Sequence, residues 1–493
     1  MSQSARQQSQ ADGTIPEAGL PTRGPAIPLA LIVSCEFMLQ LDTTIMNVAL
    51  PTVREDLGFG EAQLSWVINA FLLAFGGLLL LGGRAGDILG HRKIFVAGTV
   101  LFTVASAIGG LAPTAETLVA ARALQGVGAA LAAPTGIALL ATNFREGEER
   151  NRAFAIYSTV AGSGLALGLV LGGILTTGLS WRWVLFINIP FGALVVALAP
   201  RYIKETGRNP GRFDVGGALT STVGMTALVY GFIRVSEGPW SDPLALVSFA
   251  VGVVLMAAFL WIERRAAQPI MPLRLFTRRT RAGAYVNLLL IAATLTSMWF
   301  FLVQFLQGVL GYDALIAGLA FLPMAAAVFA ASQFVPKILP RFGTKPVAVT
   351  GIVSVGLATS WLTRLSPDSD YLTGVLGPLI LFGLGAGLAL VSHNLTVMSE
   401  TPEEDTGAAS GVLQAMLTVG GSLGLALLVT AFGRSLRAAQ ERLPAGLSEA
   451  EAAQRALAEG VSAAFSLGSL FAVVGLLIAV FVLRGKRPDP EDG

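Results

Sequence analysis

The sequence predicts an all-α membrane protein with fourteen transmembrane helices, and three observations carry that reading. Of its 493 residues 54% are hydrophobic and 13% charged, and the mean hydropathy is +0.69, outside the balance of a soluble globular domain. Apolar runs of about 20 residues, the length that crosses a bilayer, recur along almost the whole chain. The Lys and Arg residues then alternate in abundance from one connection to the next, which gives each run a direction.

Residues 1–26 are polar and rich in Gln, Ser, Pro and Gly, with no apolar core of a cleavable signal, and read as a disordered tail. The first run, 27–51, lacks a small-residue cleavage site and is expected to stay as a first span. Runs at 64–83, 94–112, 118–140, 154–177 and 183–200 follow; the last two separate only at "TTGLSWRWVLF", where polar and interfacial aromatic residues meet. A pair at 214–233 and 244–262 comes next. Runs at 284–308, 314–336, 346–363, 373–397, 407–432 and 463–483 complete the set. Between the last two, "GRSLRAAQERLPAGLSEAEAAQRALAEG" is polar and expected to form a solvated helical cap.

An even number of spans puts both termini on one side. With the N-terminus cytoplasmic, inner loops and tails hold 24 of the 33 basic residues against 8 outside, Arg122 lying within a span, so both termini are expected to be cytoplasmic and the membrane the cytoplasmic one. Inner loops of basic residues and glycine, "GRAGDILGHRK" after the second run and "PKILPRFGTK" after the tenth, sit in corresponding places. They divide the chain into a six-helix half at 27–200, an extra pair with its inner loops at 201–283, a second half at 284–484 and a tail at 485–493. Repeats of this kind build secondary transporters, with the substrate path between the halves.

Several classes are excluded. A net charge of +2 offers no basic surface for nucleic acid, and the single Cys35 permits no disulfide framework. His91 and His393 fall in separate regions, so no metal cluster is expected; there is no phosphate-binding Walker loop, and no cofactor is expected. "FGLGAGLAL" follows no strand and reads as a packing surface. Energy must come from an ion gradient or from the substrate's own.

Five motifs, "LDTTIMNVALP", "GRAGDILGHRK", "ARALQGVGAA", "SWRWVLFINIPFG" and "GYDALIAGLAFLP", occur in order on the corresponding helices. Together, over about residues 29–484, they make the chain similar to the fourteen-helix drug:proton antiporter family of the major facilitator superfamily, the EmrB/QacA type. The resemblance implies export of amphipathic small molecules such as drugs or antibiotics against protons, by a protein that works as a monomer. It implies a gating latch at Gly83, Asp87, Gly90 and Arg92, with Ile88 in place of a basic residue. It also implies roles in coupling for Asp42 and Arg122.

The residues support part of this directly. An ionised carboxylate at the bilayer centre costs about 2.5–3.5 kcal/mol, so such groups face a cavity, find a partner or stay protonated. The first run carries two. Six residues at about 100° each separate Glu36 and Asp42 by some 120° around a helix. Glu36 shares its face with Gln40, Thr43, Thr44 and Asn47, a stripe suited to a water-filled path, and is a further candidate for proton coupling beside Asp42 and Arg122. Asp42 needs a partner elsewhere, and Arg122 enters the fourth run from the outer side at a depth from which it can reach it. Burial favours a neutral carboxyl and a nearby cation an ionised one, so moving the arginine would switch protonation; a static structural ion pair is the alternative. Asp87 ends the second run where it can accept hydrogen bonds from an adjoining helix terminus. Gly164, Gly168, Gly172 and Gly173 recur along the fifth run as a surface for close packing, while Leu169 stands where the family's antiporter motif has proline. Asn69, Gln304, Gln307, Asn394 and Gln414 are further candidates for a polar cavity lining, and His393 for a bond to a neighbouring helix. An uncoupled facilitator or importer, or a non-transporting sensor or scaffold, are the competing readings.

Overall fold

The computed structural model describes residues 26–207, 213–266, 269, 271–402, 405–442 and 447–483. The tails expected at 1–26 and 485–493 lie outside these apart from Ala26. Among the described residues the structure is helical and contains fourteen helices long and apolar enough to span a membrane.

The first six spans are α1 (Ala26–Leu57), α2 (Gln63–Leu89), α3 (His91–Gly110), α4 (Ala115–Asn143), α5 (Glu148–Gly178) and α6 (Trp183–Tyr202). The extra pair is α7 (Val215–Glu237) and α8 (Pro243–Arg265). The last six are α9 (Arg279–Gly308), α10 (Ala314–Phe342), α11 (Thr344–Leu362), α12 (Tyr371–Ser399), α13 (Thr406–Arg442) and α14 (Glu449–Phe481). Helices begin where side chains can satisfy the orphan N–H groups of a first turn. Thr114 caps α4 by accepting from Thr117 N, Asp242 caps α8 ahead of Pro243, Asp313 caps α10, and Ser448 with Glu451 forms a capping box on α14. That box starts α14 well before its apolar run, and α13 continues to Arg442. Among its described residues the polar segment between the last two spans therefore consists of extensions of both, which hydropathy cannot register.

Each six-helix group packs chiefly on itself, α1 with α5, α2 and α3 with α4, α11 and α12 together, α9 and α14 with α13; α7 leans on α2 and α13 and pairs with α8. The α2–α3 connection turns at Gly90 (φ +106°) and the α10–α11 connection at Gly343 (φ +77°), so the matching loops of the two groups share a left-handed glycine at the same place.

The start of α1 and the end of α14 lie on one face of the bundle, called proximal below; the opposite face is distal. The core shows how the groups meet. One cluster crosses between them on the distal side and joins Leu41, Ile45 and Leu50 of α1 to Phe301 and Phe305 of α9, Phe321 of α10 and Phe432 of α13. On the proximal side the core is in two parts. One, with Ile32, Met38, Phe95, Phe102 and Leu139, belongs wholly to the first group. The other, with Tyr285, Leu288, Ile352 and Val397, belongs to α9–α14 and the loop before them. The bundle is closed distally and parted proximally.

Candidate functional site

The parting holds a cavity of about 1340 Å³, ample for a drug-sized molecule. Its deep end is lined by Glu36, Gln40 and Thr43 of α1, Phe71 and Phe75 of α2 and Thr296 of α9. Its mouth, at the proximal ends of the helices, is lined by Arg84, Asp87, His91, Asp214 and Met398.

Because α1 is continuous from Ala26 to Leu57, Glu36 and Asp42 diverge as their spacing requires. Glu36 lies on the cavity wall, 6% exposed, where it accepts hydrogen bonds from Tyr157 Oη at 2.6 Å and Gln40 Nε2 at 2.7 Å. Asp42 turns into the first helix group and has no exposure. Arg122 Nη1 donates to its Oδ2 at 2.5 Å, while Gln125 Nε2 at 3.0 Å and Asn188 Nδ2 at 2.8 Å donate to Oδ1. Arg122 is itself fixed: Nη1 donates to Gln125 Oε1 at 2.9 Å, Nε to the Val67 carbonyl at 3.0 Å, and its guanidinium carbon lies 4.6 Å from the Phe71 ring centroid. Ser106 of α3 accepts from Gln125 Nε2 at 2.8 Å. A buried ion pair persists only when its remaining donors and acceptors are met, and α2, α3, α4 and α6 supply them here.

The structure thus brings Asp42 and Arg122 together and adds Gln125, Asn188 and Ser106, which sequence reasoning did not single out. Gln125 stands three residues after Arg122 in "ARALQGVGAA", on the same helix face, and Asn188 lies inside "INIP"; both signals were available. Nothing local marks Tyr157, whose place opposite Glu36 follows from how α5 crosses α1.

That crossing rests on the glycines. A Cβ on Gly164 would lie 2.9 Å from Gln40 Cβ, one on Gly168 2.0 Å from Thr44 Oγ1, and one on Gly172 2.8 Å from the Ile45 carbonyl. Gly173 faces the other group, with Leu315 Cα 2.5 Å from the position of a Cβ. Leu169 is buried in the distal core, and its carbonyl lies against Gly318 of α10.

Of the expected polar lining, Gln40, Asn394 and Gln414 line the cavity. Four others do not line it in this structure. Asn47 Nδ2 donates to the Thr43 carbonyl at 2.8 Å and Gln304 Nε2 to the Phe300 carbonyl at 3.2 Å, both within their own helices. Asn69 Oδ1 accepts from Ser422 Oγ at 2.9 Å, bridging α2 to α13, and Gln307 Nε2 donates to the Val48 carbonyl at 2.9 Å, bridging α9 to α1. The latter two polar groups join the helix groups where they touch, and a polar side chain in a span is as readily used for that as for a cavity. His393 bonds the Ala389 carbonyl at 2.6 Å through Nδ1 and Asn287 of α9 at 3.0 Å through Nε2.

At the end of α2, the Asp87 carboxylate lies 3.6 Å from Arg84 and 3.3 Å from His91 of α3, at the cavity mouth. Gly83 lines the same opening. Arg92 ties the loop to the end of α6: its Nη1 donates to the Pro200 and Ile203 carbonyls, each at 3.1 Å, and its backbone N to Glu205 Oε1 at 2.9 Å. Among the described residues no cluster of His, Cys, Asp and Glu could hold a metal ion.

Residues 32–425 match the family model for the Major Facilitator Superfamily. The chain is 40% identical to a cephamycin export protein of Amycolatopsis lactamdurans over 85% of this chain and 87% of that one. It is 38% identical to a puromycin resistance protein of Streptomyces alboniger over 94% and 92%. Among solved structures, an auto-inhibited peptide transporter of the POT family superposes with a TM-score of 0.68 at 15% identity, covering 94% of this chain and 99% of that one, a likeness of fold. The chain belongs to the Major Facilitator Superfamily, as a fourteen-span membrane transporter and not an enzyme.

Proposed function

We propose that the protein exports amphipathic small molecules, antibiotics among them, across the cytoplasmic membrane in exchange for protons. The observation that carries this reading is a carboxylate and arginine buried together directly behind the wall of a one-sided cavity. Substrate enters from the proximal face, which the distribution of basic residues assigns to the cytoplasm along with both termini. Asp42 cannot hold a proton and its full ion pair with Arg122 at once, so alternation between the two states couples proton movement to the rearrangement of the helix groups. Glu36, held by Tyr157 and Gln40, offers a cationic centre on a substrate its only deep carboxylate among the described lining residues.

Relatives named for cephamycin export and puromycin resistance support small antibiotics as cargo. One proton entering down 100 mV supplies about 2.3 kcal/mol, enough for roughly a fifty-fold gradient of a neutral substrate. A single chain contains the cavity and the ion pair, which supports a monomer as the transporting unit. The test is proton release from everted vesicles on addition of puromycin. Release in wild type that is absent from Asp42→Asn supports the reading, and puromycin uptake with no accompanying proton movement replaces it with facilitated diffusion.

A further inference from the structure

The buried pair and the cavity are neighbours without a shared hydrogen bond. Asp42, Arg122, Gln125 and Asn188 all lie behind the cavity wall, and none of them lines it. Phe71 belongs to both. It lines the deep end of the cavity, its ring centroid is 4.6 Å from the Arg122 guanidinium carbon, and the Phe75 ring, also on the cavity wall, stacks beside it at 5.7 Å with 27° between the planes. One turn earlier on the same helix, the Val67 carbonyl accepts from Arg122 Nε at 3.0 Å. Helix α2 therefore holds the guanidinium by an edge and a face, and presents the same aromatic residue to the substrate.

We infer that Phe71 is the positioning residue through which a substrate in the cavity acts on the Asp42–Arg122 pair, and that its preferred ligands are flat aromatic or cationic molecules that pack on the Phe71–Phe75 shelf. This rests on the coupling reading above. A guanidinium is attracted to the face of an aromatic ring, and the attraction is strongest where water is absent. A ligand on the shelf restrains the ring, the ring keeps Arg122 on Asp42, and a proton on Asp42 is disfavoured. The substrate thereby competes with the proton although the two never touch, which is the sign that antiport requires. Linkage makes the effect reciprocal: protonation weakens the substrate by the factor with which the substrate expels the proton.

Charged and titratable groups near the pair are few. From α4 Asp42 meets Arg122, and from α3 and α6 only the neutral Ser106 and Asn188. On α1 itself Glu36 and Cys35 lie proximal to it, bonded to Tyr157 of α5 and Thr99 of α3. Distal to Asp42, Gln307 of α9 faces the Val48 carbonyl and Gln304 bonds within α9, and neither titrates.

The test measures binding of ethidium, whose charge is permanent, to purified protein by fluorescence anisotropy between pH 5.5 and 8.5. Wild type is expected to bind about tenfold more weakly at the acid end, within the usual range of coupling between sites. Asp42→Asn removes the part of that slope due to the pair, and whatever slope it leaves belongs to other groups such as Glu36. The expected result for Phe71→Leu is the same reduced slope as Asp42→Asn, with Phe71→Tyr, which keeps the ring, restoring that of wild type. Phe71→Met provides the same loss of the ring should Phe71→Leu fail to fold. A ring-free variant that binds more weakly by one factor at every pH, keeping the wild-type slope, overturns the inference while leaving coupling intact. An Asp42→Asn variant that keeps the wild-type slope, or a wild type with none, overturns the coupling reading and the inference with it.

Discussion

Gly168 of α5 and Thr44 of α1 approach so closely that a Cβ on the glycine would stand 2.0 Å from the threonine hydroxyl oxygen. Rotating the threonine side chain would still leave the Leu41 carbonyl oxygen 3.0 Å from the same point. The first and fifth helices are set by backbone proximity, and Glu36 meets Tyr157 as a result.

Gly168→Leu, and Gly172→Leu beside the Ile45 carbonyl, are accordingly expected to push α5 off α1. Overpacking costs about 1–3 kcal/mol or more. Thermal unfolding in detergent should show a lowered midpoint and reduced folded yield. Gly162→Ala on the same helix, with nothing within 4 Å of its Cβ, should lower neither. Normal yield and midpoint for both leucine variants would show that this face does not pack as described.

Asp42→Asn keeps shape and most donors while removing the charge. It should abolish proton-driven export, leaving substrate able to bind and to equilibrate. Arg122→Ala strands a carboxylate that has no exposure and Asp42→Asn strands a guanidinium that is 1% exposed, and losing one partner of a buried pair costs about 3–5 kcal/mol. Both variants should therefore show a lowered unfolding midpoint. A wild-type midpoint in either would show that the pair is not buried and closed as described.

Glu36→Gln retains the hydrogen-bonding outline of the cavity wall and removes its charge. Export of a cation such as ethidium should fall about tenfold or more, as expected for a lost charge-assisted contact, with a neutral substrate little affected. Tyr157→Phe, which removes the 2.6 Å donor to Glu36, should produce a smaller loss in the same direction. Equal losses for cationic and neutral substrates would remove the assigned role.

The α2–α3 loop gives two separable outcomes. Gly90 has a φ of +106° with the Glu205 carboxyl carbon 2.8 Å from the place of a Cβ, so Gly90→Ala should lower stability by roughly 1–2 kcal/mol from backbone strain alone. Asp87→Asn should leave insertion and midpoint intact and reduce export, because Asp87 lies at the cavity mouth beside Arg84 and His91 rather than in the core. Wild-type export rates by Asp87→Asn would remove its gating role.

Just before α13, hydrogen bonds from Arg274 hold the Asp405 carboxyl below its ordinary value of 3.8, against an opposing effect of burial. A carboxyl depressed in the folded state contributes stability above its unfolded value and loses it as pH falls through the folded one. Acidification below about pH 4 should lower the midpoint, and Asp405→Asn should flatten that part of the profile. An unchanged acid limb would show that the pair contributes nothing to it.

Much of this architecture is a local property of the chain. Fourteen spans follow from the thickness of a bilayer and the density of apolar residues, and the partnership of Asp42 with Arg122 follows from the cost of leaving either alone in hydrocarbon. Which way the other polar residues face was not legible. The stripe on α1 reaches the cavity at Glu36, Gln40 and Thr43 but not at Asn47, and the other spans around the cavity are apolar over most of their circumference, so Asn394 and Gln414 look in sequence like Asn69, Gln304 and Gln307. Their division between cavity lining and helix contacts was decided by crossings such as that of Gly168 on Thr44. So was the closure at one face only, since a core shared distally and divided proximally depends on how two packed groups tilt against each other, and neither group's sequence encodes that alone.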